Sequence, residues 1–140
     1  MTYPPMLAPD IEALAVTYLS GPLTPIPVTT RLPSPADNET TWPNGLLRVE
    51  AGGGDKANPF QYDCQFLLHA YDSNEIDADL LACRAVALAG AARGKTINGW
   101  YVVSVMSVSV PQKQSDPDVI LQRYFATAVW RIAAQVWTPP

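Results

Sequence analysis

Residues 60–70, FQYDCQFLLHA, alternate between apolar and polar along almost their whole length. Phe60, Tyr62, Cys64, Phe66, Leu68 and Ala70 occupy one parity, and Gln61, Asp63, Gln65 and His69 stand on the other. Side chains of an extended chain point to opposite faces in turn, so this run predicts a strand with one face in a core and the other against water or a partner. Before it, LLRVEA (46–51) reads as a second strand. The intervening GGGDKANP (52–59) reads as a flexible, unpaired hairpin tip, which makes the two strands antiparallel neighbours.

The flanking segments supply the remaining elements. Pro9 and Asp10 open a helix in which Ile11, Leu14, Ala15, Tyr18 and Leu19 recur at helical spacing, and Ser20-Gly21-Pro22 ends it. The β-branched run IPVTTRL (26–32) is expected as a first strand, followed by a Pro-rich loop over 33–45. After the alternating strand, Asp72 or Ser73 can cap a longer helix whose first turns carry Glu75, Asp77 and Asp79. Its expected buried stripe is Ile76, Leu80, Cys83 and Ala87, with Leu81 and Leu88 beside them.

An Asn98-Gly99 turn then leads into a strand beginning at Trp100. Its apolar residues change parity from Tyr101, Val103 and Val105 to Met106, Val108 and Val110. That change predicts a β-bulge near Val105 or Met106, or a strand apolar on both faces. Residues 111–118 read as a loop. The run from Ile120 to Trp137 reads as a last strand, with Tyr124, Ala126, Ala128, Trp130, Ile132, Ala134 and Val136 on one parity; a helix is the competing reading for so many alanines. The expected fold class is α+β: one domain over 1–140, a mostly antiparallel sheet of about five strands with two helices on one face, in the order α-β-β-β-α-β-β.

Composition limits the function. Hydrophobic residues make up 48% of the 140 and charged residues 16%, enough for one packed core and unlike a disordered chain. The formal charge of −4 and the scattered basic residues argue against tight nucleic-acid binding, which needs clustered Lys and Arg to displace counterions. No basic-then-apolar leader pattern opens the sequence, and no apolar run reaches the ~20 residues of a membrane span. Cys64 and Cys83 lack CxxC spacing and read as two reduced, buried thiols, so synthesis in a reducing cytoplasm is expected.

The catalytic-looking signals are weak. GAARGKT (90–96) ends like a phosphate-binding loop, but the first required glycine position holds Ala89. The segment also follows a helix and precedes a strand, the reverse of the geometry that aims helix N-terminal donors at phosphate. Gly94 is expected as the left-handed residue ending the helix and Lys95 as a cation near its negative end. DSNEIDAD (72–79) departs from an EF-hand at its fifth and sixth positions. His69 is the only histidine and has no nucleophile motif beside it; it reads as a solvated strand residue more readily than as a proton carrier. No catalytic residue, cofactor site or metal site is assigned, and an enzyme is not expected.

What remains is surface. Trp42, Trp100, Trp137 and Tyr3 lie at loop or strand ends, where aromatics serve interfaces or plug a sandwich. Long loops without catalytic residues fit an assembly subunit. The chain also resembles the tail terminator (tail completion) proteins of long-tailed phages, especially those infecting actinobacteria. The residues that carry the likeness are PDIEALAVTYL (9–19), LLRVEAGGG (46–54), DCQFLLHAYDSNEIDADLLACRAVAL (63–88) and DPDVILQRYFATAVWRI (116–132). These match in element order and residue character, without an invariant catalytic signature, and the stretch from Leu23 to Pro43 matches least.

The resemblance implies a virion protein at the tail–neck junction, made in the host cytoplasm. It would form a homo-oligomeric ring, typically a hexamer, on the head-proximal end of the tail tube. Such a ring ends polymerisation and presents the surface for head–tail joining. Its partners would be itself, the tail tube protein and a head-closure or neck protein, with DNA passing through the lumen without sequence-specific binding and no membrane involved. Candidate assembly residues are Trp42, Gly52, Gly53, Gly54, Asp55, Lys56, Gln61, Asp63, Gln65, His69, Arg123 and Arg131. The alternatives are another neck or minor tail subunit (head closure or adaptor) and a small α+β binding module or enzyme.

Overall fold

The computed structural model describes residues 3–31, 45–114 and 122–138. The alternating run becomes β4 (Gln61–Asp72), at the centre of a sheet ordered β2-β3-β4-β8-β6-β5, with β7 pairing β8 beside this path. The other members are β2 (Val28–Thr29), β3 (Leu46–Asn58), β5 (Thr96–Ile97), β6 (Trp100–Val108), β7 (Gln112–Lys113) and β8 (Gln122–Ala133). A separate ribbon pairs β1 (Met6–Leu7) with β9 (Gln135–Val136). Helices α1 (Ile11–Ser20) and α2 (Glu75–Gly90) complete an α+β fold.

The expectation of about five strands is corrected: among the described residues the main sheet has seven, and it is mixed because β2 runs parallel to β3. Residues 26–31 do not form one long strand, and Leu32 lies outside the described residues. Pro25 and Pro27 have no backbone donor, so pairing is confined to Val28–Thr29, where Leu47 N donates to the Pro27 carbonyl at 3.0 Å. Residues 112–113, expected in a loop, form β7 against Phe125 and Tyr124. The last strand ends at Ala133, where Ala134 N donates to the Phe60 carbonyl, and the chain leaves the main sheet to pair with β1.

One face of the sheet carries both helices. Val49, Phe66, Leu68, Ala128, Trp130, Ile132 and Val102 meet Ile11, Leu14, Ala15 and Leu19 of α1 and Leu81, Ala82, Ala85 and Ala89 of α2. Trp130 lies at its heart, fully buried, with its ring edge-on to Phe66 at 4.7 Å and to Tyr18 at 5.5 Å. Its indole N–H donates to the Ala89 carbonyl at 3.0 Å, which satisfies the one polar atom such a ring brings into a core.

The helix starts follow local chemistry. Asp10 accepts from Ala13 N, and its carboxylate favours the positive end of α1. For α2 the cap is Asn74 rather than Asp72 or Ser73: Asn74 Oδ1 accepts from Ile76 N at 2.8 Å and Asp77 N at 3.3 Å. Asp72 instead accepts from Asn74 N at 3.1 Å and fixes the approach to the helix.

Bulges shape both outer long strands. On β6, Val103 and Met106 are extra residues opposite β8, so the parity change in the sequence marks a real bulge at Met106. On β3, Gly52 and Ala57 are extra opposite β4. The glycine run is therefore not an unpaired tip. It continues β3 to Asn58 in register with Gln61–Gln65, and Gly53 and Gly54 take φ of 82° and 140° to absorb the bulge. The turn itself is short, closed by Asn58 Oδ1 accepting from Phe60 N at 2.9 Å.

Candidate assembly surfaces

The second face of the sheet has no helix on it among the described residues, and it gathers most of the polar candidates. Cross-strand register places Asp63 opposite Arg131, Gln65 opposite Val129 and His69 opposite Phe125, all on that face, with Gln61 and Arg123 on the same parity. Arg131 holds Asp63 through two parallel bonds, Nε to Oδ1 at 2.7 Å and Nη2 to Oδ2 at 3.0 Å. The guanidinium keeps the Asp63 carboxyl below its ordinary range.

His69 corrects the sequence reading: it is buried, 5% exposed, where a solvated residue was expected. Arg48 of β3 stands opposite it, Phe125 packs against its ring at 5.2 Å, and Nε2 lies 3.3 Å from Glu50 Oε1. Burial, then the neighbouring Arg48 charge, pushes its pKa below the ordinary value. Its Nδ1 is buried without a hydrogen-bond partner among the described residues. Buried polar groups of this kind argue against a free proton carrier and for a residue that joins three strands. Arg123 lies against Tyr71, with Nη1 3.5 Å from the phenol oxygen.

Gly52, Gly53, Gly54, Asp55 and Lys56 are exposed along the outer edge of β3. Between this edge and the start of α1 lies a hollow of about 310 Å³ lined by Pro9, Ile11, Tyr62 and Cys64. Lys56 Nζ sits 6.0 Å from the Tyr62 ring centre. Trp42 falls outside the described residues, as does the Pro-rich loop apart from Gly45.

Two surfaces were missed or misread from sequence. The first is the outer face of α2. Ile76 is 76% exposed, Leu80 is 45% exposed, and Cys83 and Ala87 are also exposed, although this stripe was expected to be buried. Cys83 is thus no buried thiol, while burial raises the Cys64 thiol to about 11. Beside Leu80 a hollow of about 240 Å³ opens between α2 and the segment before β2, lined by Pro25, Ile26, Leu81, Asp72, Asp77 and Arg84.

The second surface is an aromatic end. Tyr3 packs edge-on against Phe60 at 5.1 Å, and Leu7, Val136 and Trp137 extend the same end on the β1–β9 ribbon. Of the four aromatics singled out at chain or strand ends, Tyr3 and Trp137 lie here and are half exposed, and Trp100 is partly buried. The signal in the sequence was their position at element ends; their convergence depends on residues more than 130 apart and was invisible there.

The chemistry of GAARGKT is now fixed. α2 ends at Gly90 with Ala91 as its cap, so carbonyls face this segment. Gly94 has a φ of 80° but is not the residue that ends the helix. It lies in the following turn, where its N–H donates to the Val102 carbonyl at 2.8 Å. The Asn98-Gly99 turn behaves as expected, with φ of 50° and 84° joining β5 to β6. Among the described residues no three His, Cys, Asp or Glu side chains converge as a metal site, and no helix is long and apolar enough to cross a membrane.

A scan against protein-family models gives no match, and no curated protein matches. Four chains of solved structures do match. One of them, whose description names neither an activity nor a partner, superposes with a TM-score of 0.51 at 18% identity, covering 92% of this chain and 96% of that one. The likeness spans nearly the whole of both chains and concerns the fold alone.

Proposed function

We propose that this chain is a structural subunit of a phage-type tail: a tail terminator that forms a homo-oligomeric ring, a hexamer in the reading drawn from the resemblance, on the head-proximal end of the tube. There it ends tube growth and offers the surface that joins the neck. The observation that carries this reading is the outward apolar face of α2. Large apolar side chains at Ile76 and Leu80 are held in water by a rigid helix, a placement that marks a contact surface and does nothing for the monomer's core. The titratable groups give it further support, because Asp63, Glu75 and Glu50 are held by Arg131, Lys113 and Arg48, as in a framework.

The net charge of −4 suits a ring whose channel passes DNA without gripping it. The test is tail length. Deleting the gene from a phage that encodes it is expected to give tails of abnormal length with no protein ring at the head-proximal tip, seen by negative-stain microscopy. Tails of normal length that fail only to join heads would overturn the terminator role in favour of a head-closure subunit.

A further inference from the structure

Both outer sides of the main sheet are only partly covered. Its long strands lie in the order β3-β4-β8-β6, each antiparallel to the next. β2 pairs with β3 at Leu47 and Arg48, and β5 pairs with β6 at Trp100 and Tyr101. The segment before β5 adds two bonds at Val102, whose carbonyl accepts from Gly94 N and whose N–H donates to the Lys95 carbonyl. Beyond these, among the described residues, no backbone group pairs with the outer side of β3 from Gly52 to Asn58 or of β6 from Val103 to Val108.

An open edge presents a row of main-chain donors and acceptors that templates another strand. Residues 51–58 are exposed, and Gly52, Gly53 and Gly54 carry no side chain to hold a partner off. The N–H of Ala51 faces outward, where Glu12 Oε1 accepts from it at 3.1 Å. Phe66 and Tyr62 share a parity on β4, so the N–H of Lys56 opposite Tyr62 faces outward like that of Ala51 opposite Phe66.

The two open stretches lie level with each other. Tyr62 to Phe66 of β4 face Lys56 to Ala51 of β3, and their partners on β8, Ile132 to Ala128, face Val102 to Val108 of β6. Strict alternation over four long strands leaves β3 and β6 running in opposite directions. A copy rotated about an axis along the strands therefore brings its β3 antiparallel to the β6 of its neighbour, the pairing already used inside the sheet. Each edge strand also carries two bulges over nearly the same span, which increase its twist. A straight strand from an unrelated protein fits such an edge poorly, whereas the opposite edge of the same sheet is bent in the same sense. Met106, 45% exposed, lies between the levels of Cys64 and Gln65. On β3 those are the levels of Gly54 and Gly53, where the hollow of about 310 Å³ opens.

We infer that copies of this chain join edge to edge, the open stretch of β6 in one copy adding to that of β3 in the next, with Met106 beside the hollow. The occupant of the β3 edge is therefore a second copy of the same chain, and the contact is heterologous. Such contacts close into a ring when the rotation between copies permits, and the sheet then runs unbroken from copy to copy. This inference rests on the ring reading above and adds which surfaces meet.

The test uses the full-length chain and two variants. Lys56→Pro takes an outward donor from the β3 edge, and Met106→Lys places a charge on the β6 edge. Light scattering after size exclusion is expected to give a multiple of 15.2 kDa for the unaltered chain and the monomer mass for each variant alone. An equimolar mixture of the two is expected to show a twofold mass, because each variant keeps one sound edge and the sound edges pair once. Either variant retaining the mass of the unaltered chain would overturn the inference, as would a mixture that stays monomeric. Deuterium exchange on the unaltered chain needs no substitution and decides the matter should circular dichroism show a variant unfolded. Amides within 52–58 and within 103–108 are expected to exchange more slowly in the assembled fraction than in the dilute monomer. Slowing at one edge alone marks a symmetric contact and overturns the inference.

Binding to isolated tail tubes separates the two proposals. If both variants still cap tubes as rings, the edge contact fails and the terminator reading stands. If the unaltered chain neither assembles nor caps tubes, both fail.

Discussion

The two helices use their apolar residues in opposite ways. α1 turns its large side chains inward, burying Ile11, Leu14 and Leu19, with the Tyr18 hydroxyl reaching the Leu88 carbonyl at 2.8 Å. α2 presents mainly alanines to the sheet, burying Ala78, Ala82, Ala85 and Ala89 with Leu81, and leaves Ile76 and Leu80 outside. The difference lies in what each helix packs on. α2 crosses β4 and β8 over the aromatic layer of Trp130 and Phe66, which fills the space that large helix residues would otherwise occupy. The hydrophobicity of a residue does not decide which face is buried when the opposing layer has already taken the volume.

The strongest challenge to that comparison is to empty the aromatic layer. Trp130→Ala should cost about 3–5 kcal/mol, read by chemical denaturation, because it leaves a cavity and removes the indole bond to the Ala89 carbonyl. A loss below about 1 kcal/mol would show that α2 can collapse onto the sheet and that its alanines are not set by crowding. Next, Ala85→Leu should destabilise by about 1–3 kcal/mol through overpacking, whereas Ile76→Ala on the outer face should change stability by less than about 0.5 kcal/mol. Equal costs at the two positions would erase the distinction between faces.

A third experiment asks whether the edge of β3 is as constrained as the core. At Gly54 a Cβ would meet the Asp63 carbonyl oxygen, while at Gly53 it would meet open space. Gly54→Ala is therefore expected near the upper end of about 1–3 kcal/mol and Gly53→Ala near its lower end, both measured by thermal melting.

The smallest effect concerns pH. Since the folded His69 has a pKa below its ordinary 6.5, the unfolded chain takes up the proton first as pH falls. Stability contributed by the neutral form is present above 6.5 and is lost as pH falls from there toward the folded pKa. His69→Gln should flatten that part of the stability–pH curve, and an unchanged slope would show that the group's burial is not felt. The residues facing it are Arg48, Glu50, Arg123 and Phe125.

Much of this fold was legible because local periodicity carried it. The alternation of β4, the cap at Asp10, the Asn98-Gly99 turn and the bulge at Met106 all rest on neighbours within a few residues. The misreadings share a different cause. The glycine run looked like a loose tip until its partner, the polar half of β4, was counted as a ladder that needs pairing. His69 looked solvated because Arg48 and Phe125 reach it from other strands. Of the candidate site, the shared face of Gln61, Asp63 and Gln65 was readable, but the bond from Asp63 to Arg131 spans 68 residues and was not. The α2 stripe was found as a pattern and assigned to the wrong side.

The strand order has a consequence for synthesis. β8, the last strand of the main sheet in chain order, lies in the interior of that sheet, between β4 and β6. A nascent chain that has emerged only as far as β6 holds two strand edges with no mate and an aromatic layer without its central indole. The sheet therefore closes only once β8 has been made, after every other strand of that sheet.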